Sequence, residues 1–285
     1  MVRVFAVSDI HADYAENFAW VQALSQDEYL NDILILAGDV SDSMDILQRV
    51  FDTLQQRFSE LLFVPGNHEL WVQGSEYDCS LEKFDAIMTL CRTRQVRVDV
   101  CRVAGISFVP LLSWYDFSFG EPDRHLRRAW RDFRACRWPA HLDSSAAVSA
   151  YFLNKNLPAL EASLSLADGA ECNTLISYSH FLPRIDVMPA QIPEQRRRVY
   201  PVLGSEALGK QVKQLMPDIH VYGHSHVNQS VELGGIRYIN NAFAYPSEER
   251  IARKQLHCIF ESNTQTAGRD LAAETADSAP PTTDN

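Results

Sequence analysis

The chain has 285 residues, of which 46% are hydrophobic and 22% charged, and its formal net charge is −11. These fractions lie near the averages of globular proteins, so they exclude a disordered or fibrous protein. Residues 261–285 hold five acids against one base, which leaves a net charge of −7 on the rest of the chain. An acidic body argues against general binding to a nucleic-acid backbone, which requires a basic surface.

The N-terminus and the cysteines indicate the compartment. The chain starts at once with a strand-like run at residues 2–7, without the apolar core and cleavage site of a signal peptide. The six cysteines are scattered and show no spacing typical of a disulfide framework. No apolar run approaches the length that a membrane span requires. We therefore expect a cytoplasmic protein without a membrane partner.

The first part of the chain alternates between strands and helices. Apolar runs predict strands at 2–7, 33–37 and 61–64, and apolar residues at helical spacing predict helices at 13–30 and 44–58. This β-α-β-α-β order predicts parallel strands joined by right-handed crossovers. A helix over 81–94 and two short strands near 96–103 and 106–112 follow.

Residues 113–142 break this rhythm, because they hold three of the five tryptophans and six arginines. We interpret them as a lid or insertion near a site. The remaining predicted elements are a helical region at 146–167 in two pieces, strands at 174–178 and 219–222, a helix around 205–215, and an antiparallel meander of 229–233, 237–240 and 256–260. The break in the helical region is placed at Pro158, which suits a first helical turn. We expect one domain over 1–261 and a disordered acidic tail over 262–285.

Five of the apolar strands end in polar residues of the same chemical kind. The clusters are Asp9 and His11, Asp39 and Asp42, Asn67 and His68, His180, and His224 and His226. Ligands of α/β sheets bind at the carboxyl ends of the strands, so all five clusters can converge on one crevice. The four histidines elsewhere in the chain have no such placement.

The residue types in these clusters make a metal site. Histidine nitrogens together with carboxylate and amide oxygens suit divalent first-row metals. We expect one ion to take Asp9, His11 and His226 and a second to take Asn67, His180 and His224, with Asp39 as the bridge. Two dications, two aspartates and one hydroxide leave a charge of about +1, which attracts a phosphate, and two metals roughly 3.5–4 Å apart stabilise an in-line displacement.

His68 adjoins a predicted ligand but is not needed as one. We expect it to act as the general acid on the leaving oxygen, or as an electrostatic partner of the transferred phosphoryl group. Asp42 lies three residues after the predicted bridge and could fix the tautomer of His68.

The ordered series of motifs resembles the calcineurin-like metallophosphoesterase superfamily. The motifs are Asp9-x-His11, Gly38-Asp39-x-x-Asp42, Gly66-Asn67-His68-Glu69, His180 and Gly223-His224-x-His226. The resemblance implies a four-layer α/β/β/α sandwich of two mixed sheets, with a dinuclear centre of Mn, Fe, Zn or similar ions. It also implies hydrolysis of a phosphomonoester or phosphodiester by metal-bound hydroxide, with His68 and Asp42 as the catalytic pair.

One position departs from part of that superfamily. Its protein Ser/Thr phosphatases carry an arginine directly after the second aspartate of the Gly-Asp motif, whereas this chain has Ser43. A protein-phosphatase function is therefore disfavoured, and a small phosphorylated molecule or nucleotide is the expected substrate.

Three residues around the site are candidate substrate contacts. Arg184 lies four residues after a predicted ligand, Arg128 belongs to the arginine-rich segment, and Asn241 follows a strand near the site. The arginine-rich segment would either grip further phosphate as a substrate cap or form a solvated helix that pairs with the acidic body. Asn241 would either contact substrate or make a turn.

Two other classes of function stay open. A protein of the same fold could be a scaffold that binds a protein partner, but scaffolds tend to lose ligands, and here every motif position is present. A nuclease acting on short oligonucleotides is opposed by the acidic body and kept open by the arginine-rich segment.

Overall fold

The computed structural model describes residues 1–167 and 174–262. The strands are β1 (Val2–Val7), β2 (Ile33–Leu36), β3 (Glu60–Phe63), β4 (Cys101–Val103), β5 (Ile106–Pro110), β6 (Thr174–Tyr178), β7 (Ile219–Tyr222), β8 (Gln229–Leu233), β9 (Ile236–Asn240) and β10 (His257–Ser262). The helices are α1 (Ala15–Ala23), α2 (Met44–Leu54), α3 (Ser80–Thr93), α4 (Arg124–Ala129), α5 (Asp132–Ala135), α6 (Ser145–Lys155), α7 (Leu157–Ala167) and α8 (Glu206–Leu215). Apart from its first residue, the expected disordered tail lies outside the described residues.

The strands form two mixed sheets. The first has the order β10-β1-β2-β3, in which β1, β2 and β3 are parallel and β10 is antiparallel to β1. The second has the order β4-β5-β6-β7-β9-β8, in which β5, β6, β7 and β9 are parallel and the edge strands β4 and β8 are antiparallel. Val7, Leu36 and Phe63 stand side by side, so the first three strands end level with one another.

Successive side chains of a strand point to opposite faces of its sheet, so each sheet packs on the other sheet with one face and on helices with the other, which gives four layers. Val4 and Ala6 of β1 point into the core between the two sheets, whereas Phe5 and Val7 pack against the helices outside the first sheet. A third cluster joins the outer face of the second sheet to α7 and α8. The predicted four-layer α/β/β/α sandwich is therefore confirmed.

Ser43, which stands where the protein Ser/Thr phosphatases have an arginine, has a structural role. Ser43 is the N-cap of α2, and its hydroxyl accepts a hydrogen bond from the amide of Ile46. The apolar stripe of α2, with Leu47, Val50 and Phe51 buried, then packs on the first sheet.

The predicted antiparallel meander is only partly correct. β8 and β9 form the predicted hairpin, but β10 leaves the second sheet and pairs with β1 in the first. Without β10, β1 would be an open edge, and β10 covers it while burying Ile259 between the sheets. The strand expected near 96–103 is also shorter, since only Cys101–Val103 pairs with β5.

Residues 113–142 fold into α4 and α5 with extended connections. Trp114, Tyr115 and Leu126 are buried, and they pack with Phe152 of α6 in one hydrophobic cluster. The predicted break between two helices before Pro158 is present between α6 and α7. Within the described ranges, no helix has both the length and the apolar character to span a membrane.

Candidate metal centre

The structure brings the five polar strand ends together. Backbone hydrogen bonds join the segments after β1 and β2, from the amide of Asp9 to the carbonyl of Gly38 (2.9 Å) and from His11 to Asp39 (3.0 Å). Another joins the ends of β6 and β7, from Gly223 to His180 (2.9 Å). The seven predicted metal ligands are all buried, with exposures of 9% or less. The two sheets therefore present one polar centre at the carboxyl ends of their parallel strands.

The first group of candidate ligands is Asp9, His11 and His226, whose ligand atoms all lie within 4.8 Å of one another. Nε2 of His226 is 3.3 Å from Oδ1 of Asp9 and 3.1 Å from Nε2 of His11. This group has the composition predicted for the first ion.

The second group is Asp39, His180 and His224, with its ligand atoms within the same limit of 4.8 Å. Nε2 of His180 is 3.3 Å from Oδ2 of Asp39, 3.1 Å from Oδ1 of Asn67 and 3.1 Å from Nδ1 of His224. Together with the oxygen of Asn67, this group contains the residues predicted for the second ion and for the bridge, and their ligand roles remain a prediction.

Asp39 lies between the two groups. Besides its place in the second group, it forms a third group with His11 and His68, again with ligand atoms within 4.8 Å. His11 belongs to the first group, so Asp39 is near ligands of both. This position is the one predicted for a bridging carboxylate, and it also places His68 beside the centre.

Three of the four candidate histidine ligands are oriented as metal ligands require, whereas the buried Nδ1 of His11 has no hydrogen-bond partner among the described residues. His180 donates from Nδ1 to the carbonyl of Ala37 (2.9 Å), and His224 donates from Nε2 to the carbonyl of Val202 (3.0 Å). His226 donates from Nδ1 to Oε2 of Glu248 (2.6 Å). Each ring therefore uses one nitrogen on the protein and turns the other inward, which is how ligating histidines are held. The donor set and its orientation fit two divalent ions.

Charges within the centre are coupled. Burial opposes ionisation of Asp9, but the neighbouring His226 outweighs it and lowers the pKa of this carboxyl to about 2. Burial also opposes the charged imidazoles, yet Asp39 raises the pKa of His180 to about 9, and Asp9 and Glu248 raise that of His226 to about 10. Protons on these rings balance the carboxylates in the chain without metal, and bound ions would displace them.

The backbone of the centre is strained. Five of the predicted ligands have left-handed φ values between 46° and 67°: Asp9, His11, Asp39, His224 and His226. Such conformations cost on the order of 1–3 kcal/mol each and concentrate at functional sites. They turn the chain sharply at each strand end, so that the side chain faces the centre.

Glu69 holds two of these strand ends together. Its buried carboxylate accepts backbone hydrogen bonds from Gly66 (2.7 Å), Asp39 (2.9 Å), Val40 (2.7 Å) and Ser41 (3.1 Å). The loops after β2 and β3 are therefore joined by one side chain. In the sequence, Glu69 is visible only as the last residue of the motif Gly66-Asn67-His68-Glu69, which by itself predicts no role for this side chain.

His68 lies in an aromatic pocket. Its ring centroid is 3.6 Å from that of Trp71 and 4.4 Å from that of His11, and Nε2 is 3.4 Å from the hydroxyl of Tyr245. Burial lowers the pKa of His68 to about 4. The imidazole is therefore neutral at pH 7 in the chain without metal. Tyr245 was missed by the sequence analysis, since it lies 177 residues from His68.

The carboxylate of Asp42 has other neighbours than those predicted. Burial and the adjacent Asp13 raise its pKa to about 6. Its Oδ2 is 3.6 Å from Nη2 of Arg131. Among the described residues, no hydrogen bond or ion pair joins Asp42 to His68. The role of Asp42 in fixing the tautomer of His68 therefore remains a prediction.

The segment 113–142 touches the centre through Asp132. Oδ1 of this buried carboxylate accepts from Nδ2 of Asn67 (2.8 Å) and Nε1 of Trp71 (2.7 Å), and Oδ2 accepts from Nε1 of Trp130 (2.7 Å). Since the amide of Asn67 donates outward to Asp132, its oxygen faces His180. Neither Asp132 nor Glu248 carried a signal in the sequence, because each acts through a contact that only the fold creates.

The three candidate substrate contacts, Arg184, Arg128 and Asn241, differ in their surroundings. Arg184 forms an exposed pair with Asp186, with Nε 2.5 Å from Oδ1, and Arg128 is exposed on α4. The amide of Asn241 donates to the carbonyls of Ala6 (3.0 Å) and Gln255 (2.9 Å). The side chain of Asn241 therefore ties β1 to the segment before β10, which differs from the predicted turn, and the substrate roles of the three residues remain predictions.

A comparison with known families decides the affiliation. The profile of the calcineurin-like phosphoesterases matches residues 2–228, a range that contains all seven predicted ligands. The chain belongs to the calcineurin-like phosphoesterase family. The family predicted from the motifs is thereby confirmed.

Two comparisons concern a single relative within this calcineurin-like family. The "[Acyl-carrier-protein] phosphodiesterase PptH" of Mycobacterium tuberculosis is 30% identical over 125 residues, which are 41% of this chain and 38% of the relative. The crystal structure of that organism's "Phosphopantetheinyl Hydrolase (PptH)" matches with a TM-score of 0.75 at 20% identity, over 94% of this chain and 99% of that one. The sequence match thus spans well under half of the curated relative, and the structural match shows a shared fold.

Proposed function

We propose that this chain is a metal-dependent phosphoester hydrolase with a dinuclear centre. The observation that carries the proposal is the position of Asp39, whose carboxylate lies within 4.8 Å of the ligand atoms of His180 and His224 in the second group and of His11 in the first. The family affiliation supports the same reaction class. Residues 1–261 would form one metallophosphoesterase domain, with 113–142 as its cover.

Asp9, His11 and His226 would hold one ion and Asn67, His180 and His224 the other, with Asp39 shared. Mn, Fe, Zn or similar ions fit this set of nitrogen and oxygen donors. Two such ions, when bound, supply a nucleophile at neutral pH and stabilise negative charge on the attacking and leaving oxygens.

The side chains around the ions would position the substrate and the proton. His68 lies beside Asp39 and is held by Trp71, so it can place a proton at the leaving oxygen. The negative charge of a bound phosphoester would raise the low pKa of His68 and favour its protonated form. The hydroxyl of Tyr245 is within reach of the same ring nitrogen and would help to hold it.

We further propose that the substrate is a phosphodiester that links a phosphopantetheinyl group to an acyl carrier protein. The support is the name of the relative that is 30% identical over 125 residues. Water would add to phosphorus, the bond to the carrier oxygen would break, and the proton would go to that oxygen. A cytoplasmic location is also proposed, because the five described cysteines are free thiols.

The test is hydrolysis by protein that has been stripped of metal and reloaded with Mn²⁺. Bis(p-nitrophenyl) phosphate, p-nitrophenyl phosphate and a phosphopantetheinylated carrier protein would be compared, with carrier cleavage followed by mass spectrometry. We expect metal-dependent turnover that prefers the diester and that Asp39→Asn and His68→Ala abolish, whereas substitution of the exposed His141 by Ala leaves it intact. A chain that binds no metal would contradict the enzyme and favour the scaffold.

A further inference from the structure

Positive charge is concentrated in two segments of this acidic protein. Residues 121–137 and 194–198 hold nine arginines against four acids, a net charge of +5. The rest of the chain holds 17 bases against 33 acids, a net charge of −16. The surface formed by these two segments is called the basic face below.

The two segments of the basic face are joined. Nε of Arg198 lies 2.9 Å from Oδ2 of Asp123, at the N-terminus of α4. Asp123 also caps α4 by accepting from the amide of Leu126, and the third acid of the first segment, Asp132, is buried. Of the four acids, only the buried Asp132 is therefore withdrawn from the outer surface, which carries one positive charge more than the count of residues indicates.

Much of this charge has no counterpart in the protein. Arg124, Arg128, Arg134 and Arg196 are exposed, and among the described residues none of them forms an ion pair. A face that only balanced the acidic body would pair with it, as Arg137 does weakly with Asp78 at 4.0 Å. The uncompensated arginines are therefore available to a partner.

The basic face borders the metal centre on two sides. The segment after residues 194–198 supplies the carbonyl of Val202, which accepts from the candidate ligand His224. In the other segment, the ring of Trp130 is 5.7 Å from that of His224. The guanidinium of Arg131 lies 4.1 Å from the ring centroid of Trp71, which stacks on His68. A partner bound to this face would stand beside the catalytic groups.

We propose that the basic face docks an acidic protein surface, namely that of the carrier that presents the phosphodiester. This inference rests on the proposed function. A compact acidic protein would cover the basic face alone, whereas a long nucleic acid would also approach the part of the chain that carries −16 and be repelled by it. Docking through charge places the scissile bond at the centre and speeds the encounter.

The experiment reverses charge away from the catalytic groups. The variant carries Arg124→Glu, Arg134→Glu and Arg196→Glu, and the matched control carries Arg102→Glu on the edge strand β4. Turnover of a phosphopantetheinylated carrier protein and of bis(p-nitrophenyl) phosphate is measured for each. Measurements at about 10 mM and about 1 M salt compare Debye lengths of about 30 Å and about 3 Å.

We expect kcat/KM for the carrier to fall by about tenfold or more at low salt in the triple variant, and the difference to vanish at high salt. Turnover of bis(p-nitrophenyl) phosphate stays at the level of the unsubstituted protein, which also shows that the variant is folded. Carrier cleavage that survives the reversal overturns the docking face and leaves the proposed function standing. Failure of the unsubstituted protein to cleave the carrier overturns both, and so does binding of an oligonucleotide at this face in place of the carrier.

Discussion

Asp132 offers the sharpest test of how the segment 113–142 supports the centre. Its two oxygens accept three hydrogen bonds, from Asn67, Trp71 and Trp130, at 2.7–2.8 Å. The substitution Asp132→Ala removes the acceptor of all three donors, of which those of Asn67 and Trp71 are buried and that of Trp130 is partly buried. Asp132→Asn retains one acceptor oxygen and turns an amide N–H toward one of the donors.

The number of donors sets the expected magnitude. A buried polar group that loses its partner costs about 1–3 kcal/mol. We therefore expect Asp132→Asn to lower the free energy of unfolding by about 1–3 kcal/mol, and Asp132→Ala to lower it by on the order of 3–5 kcal/mol. Because Asn67 is then free to rotate, Mn²⁺ affinity is expected to fall by about 10–100-fold, as for other residues that orient metal ligands.

Urea unfolding of the metal-free protein measures the first effect, and calorimetric titration with Mn²⁺ measures the second. Asp143→Ala, at an exposed acid that directly follows this segment, is the matched control and should change neither. A loss of stability without a loss of Mn²⁺ affinity would show that Asp132 does not position Asn67. Wild-type values for both would refute the hydrogen-bond argument altogether.

Three further predictions concern other contacts of the centre. Glu248→Gln replaces the anionic acceptor of His226 by an amide, so Mn²⁺ affinity in calorimetry should fall by about 10–100-fold. Gly66→Ala places a methyl group 2.8 Å from a ring carbon of a candidate ligand, so diester turnover should be lost. A carboxyl whose pKa is raised in the folded state lowers the free energy of unfolding at pH values above that pKa. Burial and the neighbouring Asp13 raise the pKa of Asp42 to about 6. Asp13→Asn should therefore raise the urea midpoint at pH 8 and change it little at pH 4.

Each of these changes has a neighbouring control. Glu249→Gln alters an exposed acid next to the histidine partner and should leave Mn²⁺ affinity unchanged. Gly74→Ala strains a backbone with a φ of +85° but adds a methyl group with no atom within 4 Å, so it should keep diester turnover. Asp27→Asn, at an exposed acid outside the helices, should give no difference between the two pH values. If a control variant showed the same change as the test variant that it accompanies, the corresponding argument would be contradicted.

The strands and the clustering of the candidate ligands could be predicted because both follow from patterns that are local in sequence. Each ligand directly follows an apolar run, and the carboxyl ends of parallel strands share one edge. The residues that orient the ligands could not be found in this way. Asp132 lies 65 residues from Asn67 and Tyr245 lies 177 residues from His68, and nothing in their own surroundings marks them.

The same reason explains the misplaced last strand. The apolar pattern of β10 shows that it belongs to a sheet but not to which sheet, and the pairing with β1 depends on an edge left open by the rest of the fold. The contacts of Arg184 and Asn241 were beyond prediction as well. Proximity in sequence to a ligand says nothing about whether a side chain is already occupied by Asp186 or by strand carbonyls.

The left-handed backbone of the residues that follow the strands lowers the stability of the folded protein. Glycine would adopt the backbone of Asp9, His11 or His224 without the steric cost that these residues bear. In a related protein that no longer bound metals, each replacement of one of these residues by glycine would therefore raise the free energy of unfolding. Loss of the ligands, and with it a change from enzyme to scaffold, would be favoured by stability. This chain has retained all of these residues despite their cost in stability, as expected where activity depends on a strained site.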